Sequence, residues 1–281
     1  MDIKIDWNEL WKERIELQSK TQMNTDCTNM WKRKENAKRF WEMSLENKDR
    51  IEKTLTGMAL TPKSRVLDIG AGPGSLAIPL AERVAHVTAV EPAEGMMEVL
   101  KQNIKAYGTR NIDCVYKDWE TVDAGSDLCP PYDVVFASYS LGMKDIRDSI
   151  QKMVEVSSGY VYLYWFAGDT SWDIHSRNLW PILHGCEYRQ GPKADVLYNV
   201  LYDMGIYPDV KVFPFEHKNR FENIKEALEH FKPQYAAFSP EKEEILSSYL
   251  QEVLENENGA LVQKGWSTRV KMWWKVSAFE G

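Results

Sequence analysis

No uncharged apolar run in this chain approaches the ~20 residues needed to span a bilayer, so no membrane-crossing segment is expected. Cysteine is scarce. Cys27, Cys114, Cys129 and Cys186 stand far apart without a C-x-x-C spacing, which argues against a structural zinc site or a disulfide framework and fits a reducing, cytoplasmic setting. No H-E-x-x-H or two-histidine-one-carboxylate pattern is present among the five histidines, so no metal is expected. Basic residues are outnumbered: 35 Lys and Arg against 42 Asp and Glu give a formal charge of −7. A general grip on phosphate backbones needs the opposite balance, and no nucleic-acid partner is expected. The start, MDIKIDWNELW, carries early acids and no apolar signal core. The Lys/Arg-rich stretch from Lys32 to Arg39, interrupted by Glu35, reads as a solvated helix face. What is plentiful is tryptophan, 11 residues, set mostly outside the most regular part of the chain.

Residues 1–58 are helical in pattern. Trp7, Leu10, Trp11 and Ile15 recur at helical spacing, and Trp31, Ala37, Phe40, Trp41 and Leu45 repeat it after a polar break. No glycine precedes Gly57, so this is not a loose linker. From Pro62 the pattern alternates. Strands are predicted at 65–70 (RVLDIG), 86–91, 112–116, 132–137 and 160–166, with helices at 75–84, 93–106 and 145–156. Pro79 must lie near the start of the first helix, where a missing backbone donor is least costly. Such alternation implies right-handed crossovers and a doubly wound, mostly parallel α/β sheet. The second half is less regular: an aromatic, polar insertion at 168–192, a helix at 194–204, a strand at 211–216, helices at 221–231 and 240–255, and a final strand at 267–279. His217 reads as strand and surface.

The segment that carries chemistry is Asp68-Ile69-Gly70-Ala71-Gly72-Pro73-Gly74, a D-x-G-x-G-x-G at a strand-to-helix turn. Glycine is needed where the backbone turns tightly and passes close to a ligand. The helix that follows, from Ser75, begins with unpaired N–H groups able to hold an anionic or carboxylate group. Glu91 ends the next strand, where an acid accepts hydrogen bonds from the ribose hydroxyls of an adenosine-containing ligand. The nicotinamide fingerprint G-x-G-x-x-G/A fails, because its third place falls on Ser75. A P-loop fails, because no Lys follows the glycines.

The observed pattern resembles the first motif of class I S-adenosylmethionine-dependent methyltransferases, and the resemblance extends over roughly residues 63–166. It implies a Rossmann-like sheet of about seven strands with an antiparallel last strand. It implies S-adenosylmethionine as cofactor, with Asp68 and the loop of Gly70, Ala71, Gly72, Pro73, Gly74 and Ser75 along the methionine part and ribose. Glu91 would bind the ribose hydroxyls. Pro92, Met96 and Met97 would flank the adenine, Asp118 would meet its amino group, and Trp119 would stack beside it. Ser138 and Tyr139 end the fourth strand at the usual edge of the methyl-transfer site. Each has a structural alternative: Met96 and Met97 as helix packing, Trp119 as core, Asp118 as a helix start.

Methyl transfer from a sulfonium is an in-line displacement that needs alignment more than a protein nucleophile. No catalytic dyad is legible. Tyr139 and His175 are the candidates to touch the acceptor. His175 and His184 are a poor helical match for joint metal binding. The [DNS]-P-P-[YF] turn of enzymes that methylate base amines is missing; Ser138-Tyr139-Ser140 stand there. The expected division is a helical cover over 1–58 and a cofactor-binding domain over 59–281, with cap insertions near 168–192 and 218–262. These additions hold Trp7, Trp11, Trp31, Trp41, Trp172 and Trp180, which suit an apolar or aromatic small-molecule acceptor. A protein methyltransferase, a non-catalytic cofactor sensor or assembly factor, and aminopropyl transfer are the competing readings; oligomeric state is not encoded.

Overall fold

The structure, a computed structural model, describes residues 5–21, 31–46 and 48–276. Strands β1 (Arg65–Ile69), β2 (His86–Val90), β3 (Ile112–Val115), β4 (Tyr132–Ser138), β5 (Ser157–Thr170), β6 (Asp209–Phe221), β7 (Glu255–Glu257) and β8 (Ala260–Lys275) form one sheet. Its order is β3-β2-β1-β4-β5-β8-β6, with β7 beside β8. The first five pair in parallel. The last strand, β8, runs antiparallel to both of its long neighbours. Eight strands stand where about seven are expected, because the three-residue β7 adds one.

The chain enters at the sheet centre, winds outward through β2 and β3, then returns to β4 on the other side of β1. That reversal opens a crevice at the C-terminal ends of β1 and β4, where ligands bind in such sheets. β1 is apolar on both sides because both sides are covered. Leu67 and Ile69 face α6 (Ile146–Glu155), α8 (Ala194–Asp203) and Trp11 of α1 (Trp7–Thr21). Val66 faces Leu55 of α3 (Lys48–Thr56), Leu80 of α4 (Ala77–Ala81) and Leu100 of α5 (Glu94–Tyr107). The helix α2 (Lys34–Glu46) lies outside α5, with Ala37 against Met96 and Val99. Helices from residues 1–58 therefore reach both faces of the sheet rather than forming one layer. Trp11 is fully buried, and its indole N–H donates to the Met143 carbonyl at 2.9 Å.

The helix predicted over 75–84 is only the five residues of α4. Pro79 is its third residue, where the absent N–H costs least. The third strand ends at Val115, since Lys117 N–H turns back onto the Val115 carbonyl. Larger departures lie in the second half. β5 continues past Phe166 to Thr170, paired there with Ser267 of β8. The 168–192 insertion is mostly the helix α7 (Ser171–His184), started by a capping box in which Thr170 and Asp173 satisfy each other's backbone N–H. β6 and β8 are thirteen and sixteen residues long and pair along the whole length of β6. With α9 (Ile224–Phe231) and α10 (Pro240–Val253), α7 encloses a separate core around Leu179, Trp180, Phe231, Tyr235, Leu246 and Leu250. Cys27 and the end of the strand predicted to residue 279 lie outside the described residues. No described helix is long and apolar enough to cross a membrane.

Candidate cofactor and methyl-transfer site

The glycine loop leaves β1 with Gly70 at φ +72° and Gly72 at φ +57°, both in the left-handed region. The two glycines serve different ends. A Cβ on Gly70 would lie 2.3 Å from the Ser140 Cβ, so this position lets the β1 and β4 ends close together. A Cβ on Gly72 would meet nothing nearer than the Met96 sulfur at 4.0 Å, because Gly72 faces open space. That space is a cavity of about 390 Å³, a volume typical of small-molecule sites.

Asp68, Gly70, Ala71, Gly72, Ser75, Glu91, Pro92, Met96, Asp118, Trp119, Ser138 and Tyr139 all line it. Glu91 ties two elements together. One carboxylate oxygen accepts the Gly72 N–H and the other the Ala93 N–H, each at 2.8 Å. Burial pushes its pKa up, and the two backbone hydrogen bonds pull against that. Asp68 is 2 % exposed, and one carboxylate oxygen has no hydrogen-bond partner. Burial, with the Glu91 charge behind it, holds this carboxyl well above the usual range. The Ser75 hydroxyl is also buried without a partner. Orphaned polar atoms in a cavity wall are costly unless a ligand satisfies them. Two buried carboxyls suit a ligand with hydroxyls and positive charge, so these residues fit S-adenosylmethionine.

Asp118 caps the 3-10 turn Trp119–Thr121 by accepting the Glu120 N–H. Trp119 is both core and cavity wall: it is 2 % exposed, and its indole N–H donates to the Ser149 carbonyl. Tyr139 stands at the end of β4 with φ +59°, an uncommon and costly conformation for an aromatic residue that tends to persist at working sites. Two bonds hold it there. Its N–H donates to the Tyr164 carbonyl, and the Ser140 hydroxyl donates to the Ile69 carbonyl.

Four expected residues lie elsewhere. Pro73 turns away, its carbonyl accepting from the Asn103 amide. The space over Gly74 is filled by Leu100 and Ile78, so that glycine serves packing. Met97 projects from the opposite side of α5 to Met96 and joins the core with Leu80 and Leu100. His175 is on α7, bonded through Nδ1 to the Tyr249 hydroxyl at 2.7 Å, and does not line the cavity. Its helix belongs to the separate core shared with α9 and α10. Trp31, one of the tryptophans expected around an acceptor, lines the cavity, and residues that sequence reasoning did not assign add to the wall: Phe40 from the N-terminal part, Glu120, Met143, and Trp165 of β5. Glu120 shapes the rim by accepting the Lys144 and Asp145 N–H groups. Only the aromatic weight of the N-terminal part signalled Phe40. Among the described residues no cluster of His, Cys, Asp or Glu could hold a metal ion.

Residues 66–158 match the family model of the methyltransferase domain. Over 229 residues the chain is 27% identical to an uncharacterised protein of Haemophilus influenzae, covering 80% of this chain and 81% of that one. A 74-residue stretch is 32% identical to the 23S rRNA (uracil(1939)-C(5))-methyltransferase RlmD of Klebsiella pneumoniae, covering 26% of this chain and 17% of that enzyme. Among solved structures, a protein of Bacillus halodurans assigned as a methyltransferase superposes with a TM-score of 0.56 at 17% identity, over 81% of this chain and 99% of that one. Strand order and domain match agree on one conclusion: residues 66–158 match a methyltransferase domain, and the sheet that holds them has the Rossmann-like fold of class I S-adenosylmethionine-dependent methyltransferases.

Proposed function

We propose that the chain is an S-adenosylmethionine-dependent methyltransferase that acts on a small-molecule acceptor of apolar or aromatic character. The observation that carries this reading is the far wall of the cavity. Its lining is rich in aromatic side chains, Tyr139 and Trp165 at the ends of the sheet strands and Trp31 and Phe40 packed beside Met96, and such walls suit a single compact molecule rather than an extended chain. The formal charge of −7 and the missing proline-pair turn after β4 also argue against a nucleic-acid acceptor.

S-adenosylmethionine, when bound, supplies an electrophilic methyl on a positively charged sulfur. In this proposal Glu91 and the loop backbone hold the ribose. The Asp68 carboxylate and the Ser75 hydroxyl gain the partners they lack. Met96 and Trp119 flank the adenine, with Asp118 beside its amino group. Tyr139, fixed by its backbone, sets the acceptor in line. Trp31 and Phe40 exclude water. Alignment and exclusion of this kind lower a barrier by up to ~7–11 kcal/mol in ideal cases. Residues 1–58 serve as cover, and the stretches near 168–192 and 218–262 as caps.

The test has two stages. Calorimetric titration with S-adenosylhomocysteine and NAD should show binding of the first alone. Transfer of labelled methyl should then be followed to aromatic small molecules, to total RNA and to a protein mixture. Label in the small molecules supports the reading; label only in RNA or protein overturns it.

A further inference from the structure

Gly95 is the second residue of α5, and its φ lies outside the left-handed region, so nothing in its own conformation asks for glycine. A neighbour does. A Cβ at this position would lie 2.6 Å from the Lys32 carbonyl oxygen, 2.7 Å from that of Trp31 and 2.8 Å from the Arg33 carbonyl carbon. The chain just before α2 thus rests backbone to backbone on the first turn of α5, a closeness that only glycine permits. From there α2 follows α5 to its end. Lys34 pairs with Glu98 at 2.8 Å, Ala37 is fully buried with Met96 and Val99, and Trp41 meets the Tyr107 ring edge-on at 5.8 Å.

This docking carries two rings to the cavity. Trp31 and Phe40 both line it and meet edge-on at 5.4 Å, so Phe40 braces the indole. They pack with Ala93 and Met96, which also line the cavity. Those residues closely follow Glu91, so Trp31 stands at the end of the cavity given above to the adenine. The matched domain, residues 66–158, does not contain this wall. A purine presents a flat π-face, and an aromatic side chain can hold it by stacking without hydrogen bonds.

We propose that Trp31 closes the adenine end of the cofactor cavity, with its indole against the base, and that the bare backbone of Gly95 sets the depth at which it sits. The inference rests on the methyl-transfer reading and deepens it. The cofactor is then held by two parts of the chain, the glycine loop with Glu91 and the N-terminal cover. Tyr139 and Trp165 remain as the aromatic wall for the acceptor. Coupling of this kind is reciprocal: an occupant that stacks on Trp31 also holds the cover down.

The test uses the whole chain and two ligands that share the adenosine part, S-adenosylhomocysteine and adenosine. Trp31→Ala should weaken both by the same factor, about tenfold or more, and Trp31→Phe should restore part of each. A loss confined to S-adenosylhomocysteine, or wild-type affinity for both, overturns the proposal. Gly95→Ala puts a better helix former into α5, so the helix keeps its stability while the cover is lifted. It should reproduce the Trp31→Ala loss, and the two changes together should weaken binding no more than either alone. Wild-type affinity in Gly95→Ala, or a further loss in the double variant, overturns the role of Gly95. Trypsin gives a reading that does not pass through affinity. Lys32, Arg33 and Lys38 are exposed on the cover, and saturating S-adenosylhomocysteine should slow cleavage after them in the wild type and not in Trp31→Ala. Equal rates with and without ligand in the wild type would overturn the contact. Should Trp31→Ala fail to fold, that wild-type comparison still decides. Failure of S-adenosylhomocysteine itself to bind would instead count against the cofactor and the function built on it.

Discussion

The parallel half of the sheet and its antiparallel half build their surfaces by different means. In the parallel half, each candidate residue lies at a strand end or just past it. Asp68 and the glycines close β1, Glu91 closes β2, Asp118 follows β3 and Tyr139 closes β4. Sequence neighbours there become neighbours in the cavity. In the antiparallel half, Phe166, Phe215 and Arg269 meet only because β5, β8 and β6 pair in one register. Distance along the chain says nothing of that meeting. Surfaces built by motif and by register should fail differently when disturbed.

The largest effect is expected in the separate core of α7, α9 and α10. Trp180 is 1 % exposed at the centre of the cap core. Trp180→Ala should cost about 3–5 kcal/mol of stability. Affinity of the folded protein for S-adenosylhomocysteine should be unchanged. Denaturant unfolding and calorimetry would check both, and a parallel loss of affinity would show that the two halves are not independent.

Glu91→Ala tests the other half. It removes the acceptor of the Gly72 and Ala93 N–H groups together with the proposed ribose contact. Cofactor affinity should weaken by roughly 1.5–3 kcal/mol. A folded variant with wild-type affinity would remove Glu91 from the site.

Asp68 gives the comparison a pH dependence. Its carboxyl in the folded chain is held well above the usual carboxylate range, first by burial and then by Glu91. An acid raised in this way leaves stability intact below the unfolded pKa and lowers it as pH rises toward the folded value. Asp68→Asn cannot ionise. Without cofactor it should melt higher than wild type near neutral pH, with the gap closing below about pH 4. It should also bind S-adenosylmethionine less well. An equal melting difference at both pH values would mean that ionisation of Asp68 is not the cause.

The smallest effect belongs to His175. His175→Ala removes one hydrogen bond to Tyr249 and should cost about 0.5–1.5 kcal/mol of stability. Methyl transfer should be unaltered. A large loss of turnover at unchanged stability would return His175 to the site.

The difference between the halves also decides what can be read from the chain. The parallel strands, the glycine loop and Glu91 are legible because period and motif are local. Met96 and Met97 cannot be told apart in this way, since adjacent residues on a helix point to different sides and only the docked helix decides which faces the cavity. His175 attracts notice as a histidine in an aromatic insertion, but the capping box of α7 and the pairing of β5 with β8 carry it off to the cap. Arg269 stands in the predicted final strand with nothing to mark it, because its aromatic neighbours come from β4 and β6.

The two buried carboxyls of the cavity wall bear on turnover as well as capture. S-adenosylmethionine carries one positive charge more than the thioether left after transfer. On the proposed placement, Glu91, and Asp68 when ionised, lie where water offsets little of that change, so their attraction for the occupant falls when the methyl leaves.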